Sequence, residues 1–146
     1  MQIELTREQY RELVHTILAG TYVREAVEEW QGSPDWERLG KLEEYILSFA
    51  GQFASEDMVQ RVDGEWIPTT EVTDQMENTI DEYNDIEFWD QLSSRLGQRD
   101  AERTMTSQER RELETMGQYP DRVYDFFNKW TEEFEEHGVD RLEVKE

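Results

Sequence analysis

Two residues near the start of the chain, Glu12 and His15, have the spacing with which helical di-iron proteins present metal ligands. Residues three apart lie on one face of a helix, so both side chains can reach the same ion. A di-metal site needs a second pair of this kind. The only other histidine is His137, and the position three residues before it is Phe134, where the pattern needs a glutamate. Glu12 and His15 are therefore the only metal candidates. The simpler expectation is no metal and no cofactor, with an ordinary hydrogen bond for His15.

Acidic residues number 36, and many are neighbours in sequence. Two carboxylates can act as general acid and base, as they do in glycoside hydrolysis. In a chain this acidic, however, adjacent carboxylates are expected on every solvated helix face and do not mark a site. The chain has no cysteine nucleophile, and we predict no catalytic residues. The pairs in question are Glu28–Glu29, Glu43–Glu44, Asp81–Glu82 and the run from Glu132 to Glu136.

The segment from Arg95 to Arg111 is locally basic in a chain with a net charge of -21. Arg95, Arg99 and Arg103 are four residues apart and so share one helix face. One interpretation makes them internal counter-ions for carboxylates of another element, such as the Glu132 to Glu136 run or the Asp81–Glu82 pair, with Arg95 or Arg99 partly buried. Asp100 is not expected to pair with Arg99, because neighbours on a helix diverge. The other interpretation is a docking strip for a partner. Its candidate residues are Phe88, Arg95, Arg99, Arg103, Arg110 and Arg111.

The composition restricts the solvent and the partners. The net charge of -21 disfavours direct nucleic-acid binding. Only Lys41, Lys129 and Lys145 are lysines, so 12 of the 15 basic residues are arginine; this pattern suits either concentrated salt or a genomic bias toward arginine. Without cysteine, a membrane-length apolar run or a signal-like N-terminus, we expect a cytoplasmic protein that contacts no membrane.

The periodicity of the apolar residues predicts a mainly α fold of five to six helices. Thr6 and Gln9 form a capping-box pattern before a long first helix. An Asp-Gly dipeptide between residues 56 and 68 is compatible with a small hairpin or with an ordered loop. The predicted helices run from Arg7 to about Trp30, from Ser33–Pro34 to Phe53, from Thr69 or Thr70 to about Tyr83, from Asn84 to about Leu96, from Thr106 to Gly117 and from Pro120 to Gly138.

Both ends of the chain alternate apolar and polar residues. Ile3 and Leu5 share one face of an extended strand, as do Leu142 and Val144. Lone strands of this length would leave backbone groups unpaired, so the pattern predicts that the N- and C-terminal segments form a two-stranded ribbon. No repeat or linker divides the sequence, which favours a single acidic helical domain over residues 1–146.

A longer pattern lies within the second half of the chain. Glu82–Tyr83, Phe88–Trp89, Leu92, Arg95–Leu96 and Arg99–Asp100, together with the opening IELTREQYRELV, resemble a group of small uncharacterised bacterial proteins. The likeness covers about half of the chain. The resemblance implies a compact domain and does not imply an activity.

Three functional hypotheses remain. The first is a module that binds another protein or itself through apolar contacts and the docking strip. The second is a nucleic-acid mimic, whose carboxylates along helix faces would occupy the basic groove of a DNA-binding protein. The third and weakest is an enzyme with a carboxylate-based or metal site. A continuous acidic stripe would favour mimicry, and a bare apolar patch would favour the binding module.

Overall fold

The computed structural model describes residues 4–33, 35–117 and 119–143. The mainly α prediction is confirmed, and no helix in these ranges is both long and apolar enough to cross a membrane. The chain divides into two compact units, Met1–Glu82 and Tyr83–Glu146, so the single domain predicted over residues 1–146 stays a prediction. The elements are helices α1 (Arg7–Trp30), α2 (Trp36–Leu47), α3 (Thr70–Thr104), α4 (Ser107–Met116) and α5 (Val123–His137), with strands β1 (Val59–Val62) and β2 (Glu65–Pro68) between α2 and α3.

The first unit is built on the buried stripe of α1. The predicted capping box is present: the Thr6 hydroxyl accepts from the Gln9 amide, and the Gln9 side chain accepts from the Thr6 amide. Tyr10 is almost fully buried, stacks on Phe53 at 4.5 Å between ring centroids, and donates its hydroxyl hydrogen to the Ile46 carbonyl. The buried core consists of Tyr10, Val14, Leu18, Leu47, Ala50, Met58, Val59 and Val72.

The Asp-Gly dipeptide forms a hairpin, which decides between the two alternatives left by the sequence. β1 and β2 pair antiparallel, with Val62 opposite Glu65. Asp63 and Gly64 both have positive φ, 52° and 96°, as a two-residue turn that matches the strand twist requires.

Within the described ranges the two-stranded sheet is this hairpin, and the ribbon that the terminal segments predict stays a prediction. Ile3 and Val144, on which that prediction depends, lie outside the described residues. Leu5, which is described, comes just before the N-cap of α1, and Leu142 follows a turn in which its amide bonds to the Val139 carbonyl. Neither residue is in a strand, because these local helix-cap and turn bonds already satisfy the neighbouring backbone groups.

The predicted third and fourth helices are one continuous helix, α3, so the prediction of a restart at Asn84 is wrong. Asn84 and Glu87 imitate a capping box, but that spacing also fits a helix interior, and no proline or glycine stands between Thr70 and Leu96 to end the helix. Tyr83, expected to point inward, is 57% exposed, and Ile86 is 69% exposed.

Three other helix boundaries differ from the predicted ones. α2 begins after Asp35, whose carboxylate accepts from the Arg38 amide, and not at Ser33. It ends at Leu47, so Phe53 lies in a short 3-10 helix, Ala50–Phe53. α5 begins at Val123 and not at Pro120. Pro120 lies in a turn, in which the Val123 amide donates to the Pro120 carbonyl. The predicted ends at Gly117 and Gly138 are confirmed, since both are C-caps with positive φ.

The second unit is a helical hairpin in which α5 packs antiparallel against the C-terminal part of α3. Trp89 contacts Phe134 with 5.5 Å between ring centroids. Further along, Gly97 lies so close to Phe127 that a Cβ added at Gly97 would be 2.1 Å from Phe127 Cδ1 and 2.9 Å from its backbone nitrogen. Ala101 and Val123 are buried between these contacts and α4. The absence of a side chain at Gly97 therefore permits the close approach of the two helices.

Gly97→Ala should destabilise the protein although alanine is the better helix former. The gain in helix propensity is about 1 kcal/mol, whereas overpacking costs about 1 to 3 kcal/mol, and here backbone as well as ring atoms would have to shift. Gly40→Ala is the matched control, because Gly40 lies in α2 with no atom near its missing Cβ. We expect denaturant unfolding to give a lower midpoint for Gly97→Ala and an equal or higher one for Gly40→Ala. Equal stabilisation of both would contradict the packing.

Candidate functional site

An open groove of about 520 Å³ runs between α3 and α5 in the second unit. Its floor is apolar: Trp89 and Phe134 pack against each other, and Trp130 stacks on the other side of Phe134 at 5.5 Å between ring centroids. Ser93 is buried at the base of the groove. The lining residues are Ile86, Trp89, Asp90, Ser93, Thr131, Phe134 and Glu135.

The apolar surface continues beyond the groove. Ile86 is 69% exposed at its edge, and Phe88 is 52% exposed and meets Trp89 edge to face at 4.9 Å. Trp89 is half-buried and donates its indole hydrogen to Asp85. The sequence assigned Trp89 to the core and left Phe88 open. In the structure, the Trp89 ring forms part of the floor of the groove, and Phe88 extends the exposed apolar surface beside it.

The rim of this groove is anionic. Asp90 and Glu135 line it from α3 and α5 respectively, and both are exposed. No arginine or lysine from residues 4–33, 35–117 and 119–143 contributes to the lining. An apolar floor between two carboxylates suits a ligand that is apolar on one side and cationic at its edges. This combination is the most specific binding chemistry that the described residues offer.

The arginine segment is organised around Asp100, which is only one-fifth exposed. Arg99 donates to Asp100 Oδ1 at 2.8 to 2.9 Å, and Arg103 approaches the same oxygen at 3.5 Å. The indole Nε1 of Trp130 donates to the other oxygen at 2.9 Å. The Arg99 guanidinium carbon lies 5.6 Å from the centroid of the Trp130 ring, within the range of a cation–π contact.

One part of the counter-ion interpretation is confirmed and one part is wrong. Arg99 is partly buried against an aromatic ring, as that interpretation required. Its carboxylate partner, however, is the adjacent Asp100 and not an acidic residue of α5 or Asp81–Glu82. Adjacent residues pair here because Trp130 fixes the Asp100 carboxylate from the α5 side, and Arg99 reaches toward the same ring. For Arg95, which is exposed, no ion pair is found with any described residue.

Arg110 and Arg111 bond to nearby backbone carbonyls, Arg110 to one at the end of α3 and Arg111 to one at the start of α4. Arg110 donates to the Glu102 carbonyl at 3.1 Å, and Arg111 donates to the Ser107 carbonyl one turn earlier. Both residues are exposed, as are Phe88, Arg95 and Arg103, whereas the Arg99 side chain, packed against Trp130, is 42% exposed. The docking role of these six residues stays a prediction.

A second ionic cluster, centred on Arg122, joins α4 to both neighbouring helices. Arg122 makes a two-point contact with Glu109, with both N–O distances at 2.9 Å, and also donates to the carbonyl and hydroxyl of Thr104. Glu109 completes the predicted capping box by accepting from the Thr106 amide at 2.7 Å. The Arg122 hydrogen bonds, followed by those of Thr106, lower the pKa of Glu109 from 4.5 to about 2.

Sequence reasoning found the Thr106–Glu109 cap but missed Arg122 and Trp130 as partners of the two clusters. Arg122 is 13 residues from Glu109, and Trp130 is 30 residues from Asp100. Helical periodicity indicates only which residues three or four positions apart lie next to each other on the same helix. The indole hydrogen of a half-buried tryptophan, which needs an acceptor, was the one available signal for Trp130.

Glu12 and His15 do line a common groove, together with residues of α3 in the first unit. A metal site normally takes at least three protein ligands. Within the described ranges, no group of three or more His, Cys, Asp and Glu residues is arranged to hold an ion. Among the described residues, the structure therefore adds no third metal ligand to Glu12 and His15.

Glu43, one of the adjacent acidic residues, is half-buried between two small cavities of the first unit. Burial raises the pKa of its carboxyl, and nearby Glu25 raises it further, while the contact with the Thr21 hydroxyl opposes the shift. That hydroxyl has one hydrogen and also lies 2.9 Å from the Ile17 carbonyl. The hydroxyl can therefore donate to only one of the Ile17 carbonyl and the Glu43 carboxylate at a time.

Comparison with known proteins adds no relative. No family model, curated protein or solved structure matches this chain. The resemblance to small bacterial proteins accordingly stays an expectation of the sequence.

Arg99→Ala should lower the stability of the protein by about 1 kcal/mol, since it removes a partly exposed ion pair and a cation–π contact, each of which contributes about 0.5 to 1 kcal/mol. Arg95→Ala is the matched control, one helical turn away on an exposed position, and should leave the thermal midpoint unchanged. If Arg99→Ala keeps its midpoint but loses a binding partner, the segment is a docking strip.

Glu109→Gln should lower stability at neutral pH, because glutamine cannot form the charged two-point contact with Arg122. The pKa of Glu109 is about 2 when folded against a usual value of 4.5, so its contribution is complete above pH 4.5 and is lost as the pH falls toward 2. The stability difference between parent and variant should shrink over that window. Glu114→Gln, an exposed neighbour on α4, should match the parent throughout; a constant difference for Glu109→Gln would contradict the assignment.

Proposed function

We propose that this chain is a non-catalytic protein-binding module that holds a basic amphipathic helix in the groove between α3 and α5. The observation that carries the proposal is the pairing of an apolar floor, Trp89 and Phe134, with a rim of two exposed carboxylates, Asp90 and Glu135. A cytoplasmic location and adaptation to concentrated salt belong to the same proposal. They are supported by the cysteine-free, arginine-rich composition.

A helix is the ligand shape that the groove favours. The volume of about 520 Å³ is open along its length and lies between two antiparallel helices. Amphipathic helices bind such grooves through apolar residues at positions i, i+3, i+4 and i+7. Ile86 and Phe88 would extend the contact at one end, where both side chains are more than half exposed.

The charge of the ligand follows from the rim. Asp90 and Glu135 lie on opposite walls, and the flanking acidic residues of the two helices add to the negative potential. Lysine or arginine on the polar edges of a bound helix would meet these carboxylates on both sides, which raises the association rate and fixes orientation. An acidic helix would be repelled. The nearby acidic residues in sequence are Asp85, Glu87, Glu132 and Glu136.

The proposal predicts binding of a designed peptide with leucine at i, i+3, i+4 and i+7 and lysine on the opposite face. Binding can be followed by the fluorescence of Trp89 and by amide NMR shifts, which should cluster at Ile86, Trp89, Asp90, Phe134 and Glu135. A peptide of identical composition in scrambled order controls for general attraction to a chain of charge -21. Equal binding of the scrambled peptide, or shifts spread over both units, would overturn the proposal.

Charge-reversal variants distinguish peptide binding in the groove from general attraction to the negative charge of the chain. The double variant Asp90→Lys, Glu135→Lys should bind the peptide at least tenfold more weakly, because two rim contacts become repulsive. Glu114→Lys with Asp121→Lys changes the net charge equally at exposed positions outside the groove and should have a smaller effect. Competition by double-stranded DNA for a natural partner would instead support nucleic-acid mimicry, the alternative that the sequence left open.

A further inference from the structure

The second half of α1 carries an apolar stripe that faces away from the core of the first unit. Its members, Ala19, Val23, Ala26 and Trp30, are spaced by four, three and four residues. They lie about 155° around the helix from the buried stripe of Tyr10, Val14, Leu18 and Thr21, at 100° per residue. The four charged residues between Ala19 and Trp30 all lie outside this stripe: Arg24, Glu25, Glu28 and Glu29.

The stripe is uncovered in the isolated chain. Trp30 is 91% exposed, Val23 is 45% exposed, and Val27, which flanks the stripe, is 49% exposed. α2 packs on the other side of α1, where Thr21 contacts Glu43 and Glu28 pairs with Arg38 at 2.8 Å. An exposed tryptophan beside two exposed valines is unusual in a chain with 35% charged residues. Tryptophan is enriched among the residues that contribute most to binding at protein interfaces.

A recess of matching chemistry lies on the same stripe, toward the N-terminus. A groove of about 450 Å³ lies between α1 and α3. Ala19 and Met76 supply apolar and thioether surface, on which an aromatic ring packs well. The carboxylate of Glu12 supplies an acceptor for an indole hydrogen. The residues that line this groove are Glu12, His15, Thr16, Ala19, Gln75, Met76 and Thr79.

The projecting tryptophan and the recess are placed symmetrically about Val23. Trp30 is seven residues after Val23 and Thr16 is seven residues before it, each about 10.5 Å along the helix. In an antiparallel pair of α1 helices related by a two-fold axis at Val23, Trp30 of each copy would therefore lie opposite Thr16 of the other. Val27 would lie opposite Ala19, and Ala26 opposite Gly20, so that each large residue faces a small one.

We infer that two copies of this chain associate through α1, with Trp30 of each copy seated in the groove between α1 and α3 of the other. A second copy is favoured over an unrelated protein because one symmetry operation fills both grooves and covers both stripes, which is the self-complementarity that a two-fold interface requires. Because the contact involves one helix and one groove of each copy, it lies at the small end for specific interfaces, which bury about 1,200 to 2,000 Å². Self-repulsion between two acidic chains weakens the dimer at low salt.

Sedimentation equilibrium in concentrated potassium chloride should reveal a concentration-dependent dimer. Trp30→Ala should raise its dissociation constant by about 30-fold or more, as the loss of a hot-spot tryptophan does. It should leave unfolding unchanged under monomeric conditions, because Trp30 is 91% exposed. Trp36→Ala, a tryptophan of α2 that is 55% exposed, is the matched control and should still dimerise. A monomer at every soluble concentration, or equal loss in both variants, would overturn the inference.

The register can be tested by disulfide formation, since the chain has no cysteine of its own. Val23→Cys should oxidise readily to a covalent dimer, because the two copies of position 23 meet at the axis. A mixture of Ala19→Cys and Val27→Cys chains should form the mixed dimer in preference to either self-paired one. Tyr45→Cys, exposed on α2, should remain reduced under the same conditions. Random pairing among these variants would contradict the antiparallel register.

Discussion

The excess of negative charge is the constraint under which every junction of this protein is built. With a net charge of -21, contacts between elements must form against general repulsion. The structure meets this constraint by placing arginines where elements join. Arg11 reaches Asp57 from α1, Arg38 of α2 reaches Glu28 of α1, and Arg122 reaches Glu109 of α4. These pairs cross between elements, unlike the pairs within one helix face.

The arginines are also shared in an unexpected way. Although carboxylates outnumber them, three carboxylates each receive two arginines: Asp57 from Arg7 and Arg11, Glu28 from Arg24 and Arg38, and Asp100 from Arg99 and Arg103. Two of the three couples are four residues apart on a helix. Each couple with its carboxylate carries a local charge of +1, which offsets part of the surrounding negative charge.

Local chemistry explains why much of the fold could be predicted and part of the site could not. The helix caps at Thr6 and Thr106 depend on residues within a few positions of one another and were predicted from the sequence, whereas at Asp63 the sequence left a hairpin and an ordered loop open. The continuity of α3 was missed because an imitation cap at Asn84 resembles a real one. The groove was missed because its two walls lie about 45 residues apart in sequence, and pattern reasoning has no measure of which helix faces meet.

The contact at Gly97 has a consequence for how the groove can act. Sliding α5 by one helical turn would move Phe127 away from Gly97 and separate Trp130 from Asp100, so these two contacts favour the observed register of α5. The two walls of the groove are thus aligned before any ligand arrives. A ligand that binds there loses its own conformational freedom but does not have to order the walls. Selectivity at such a site depends on the shape and charge of the ligand, because the receptor has little capacity to adapt to a poor match.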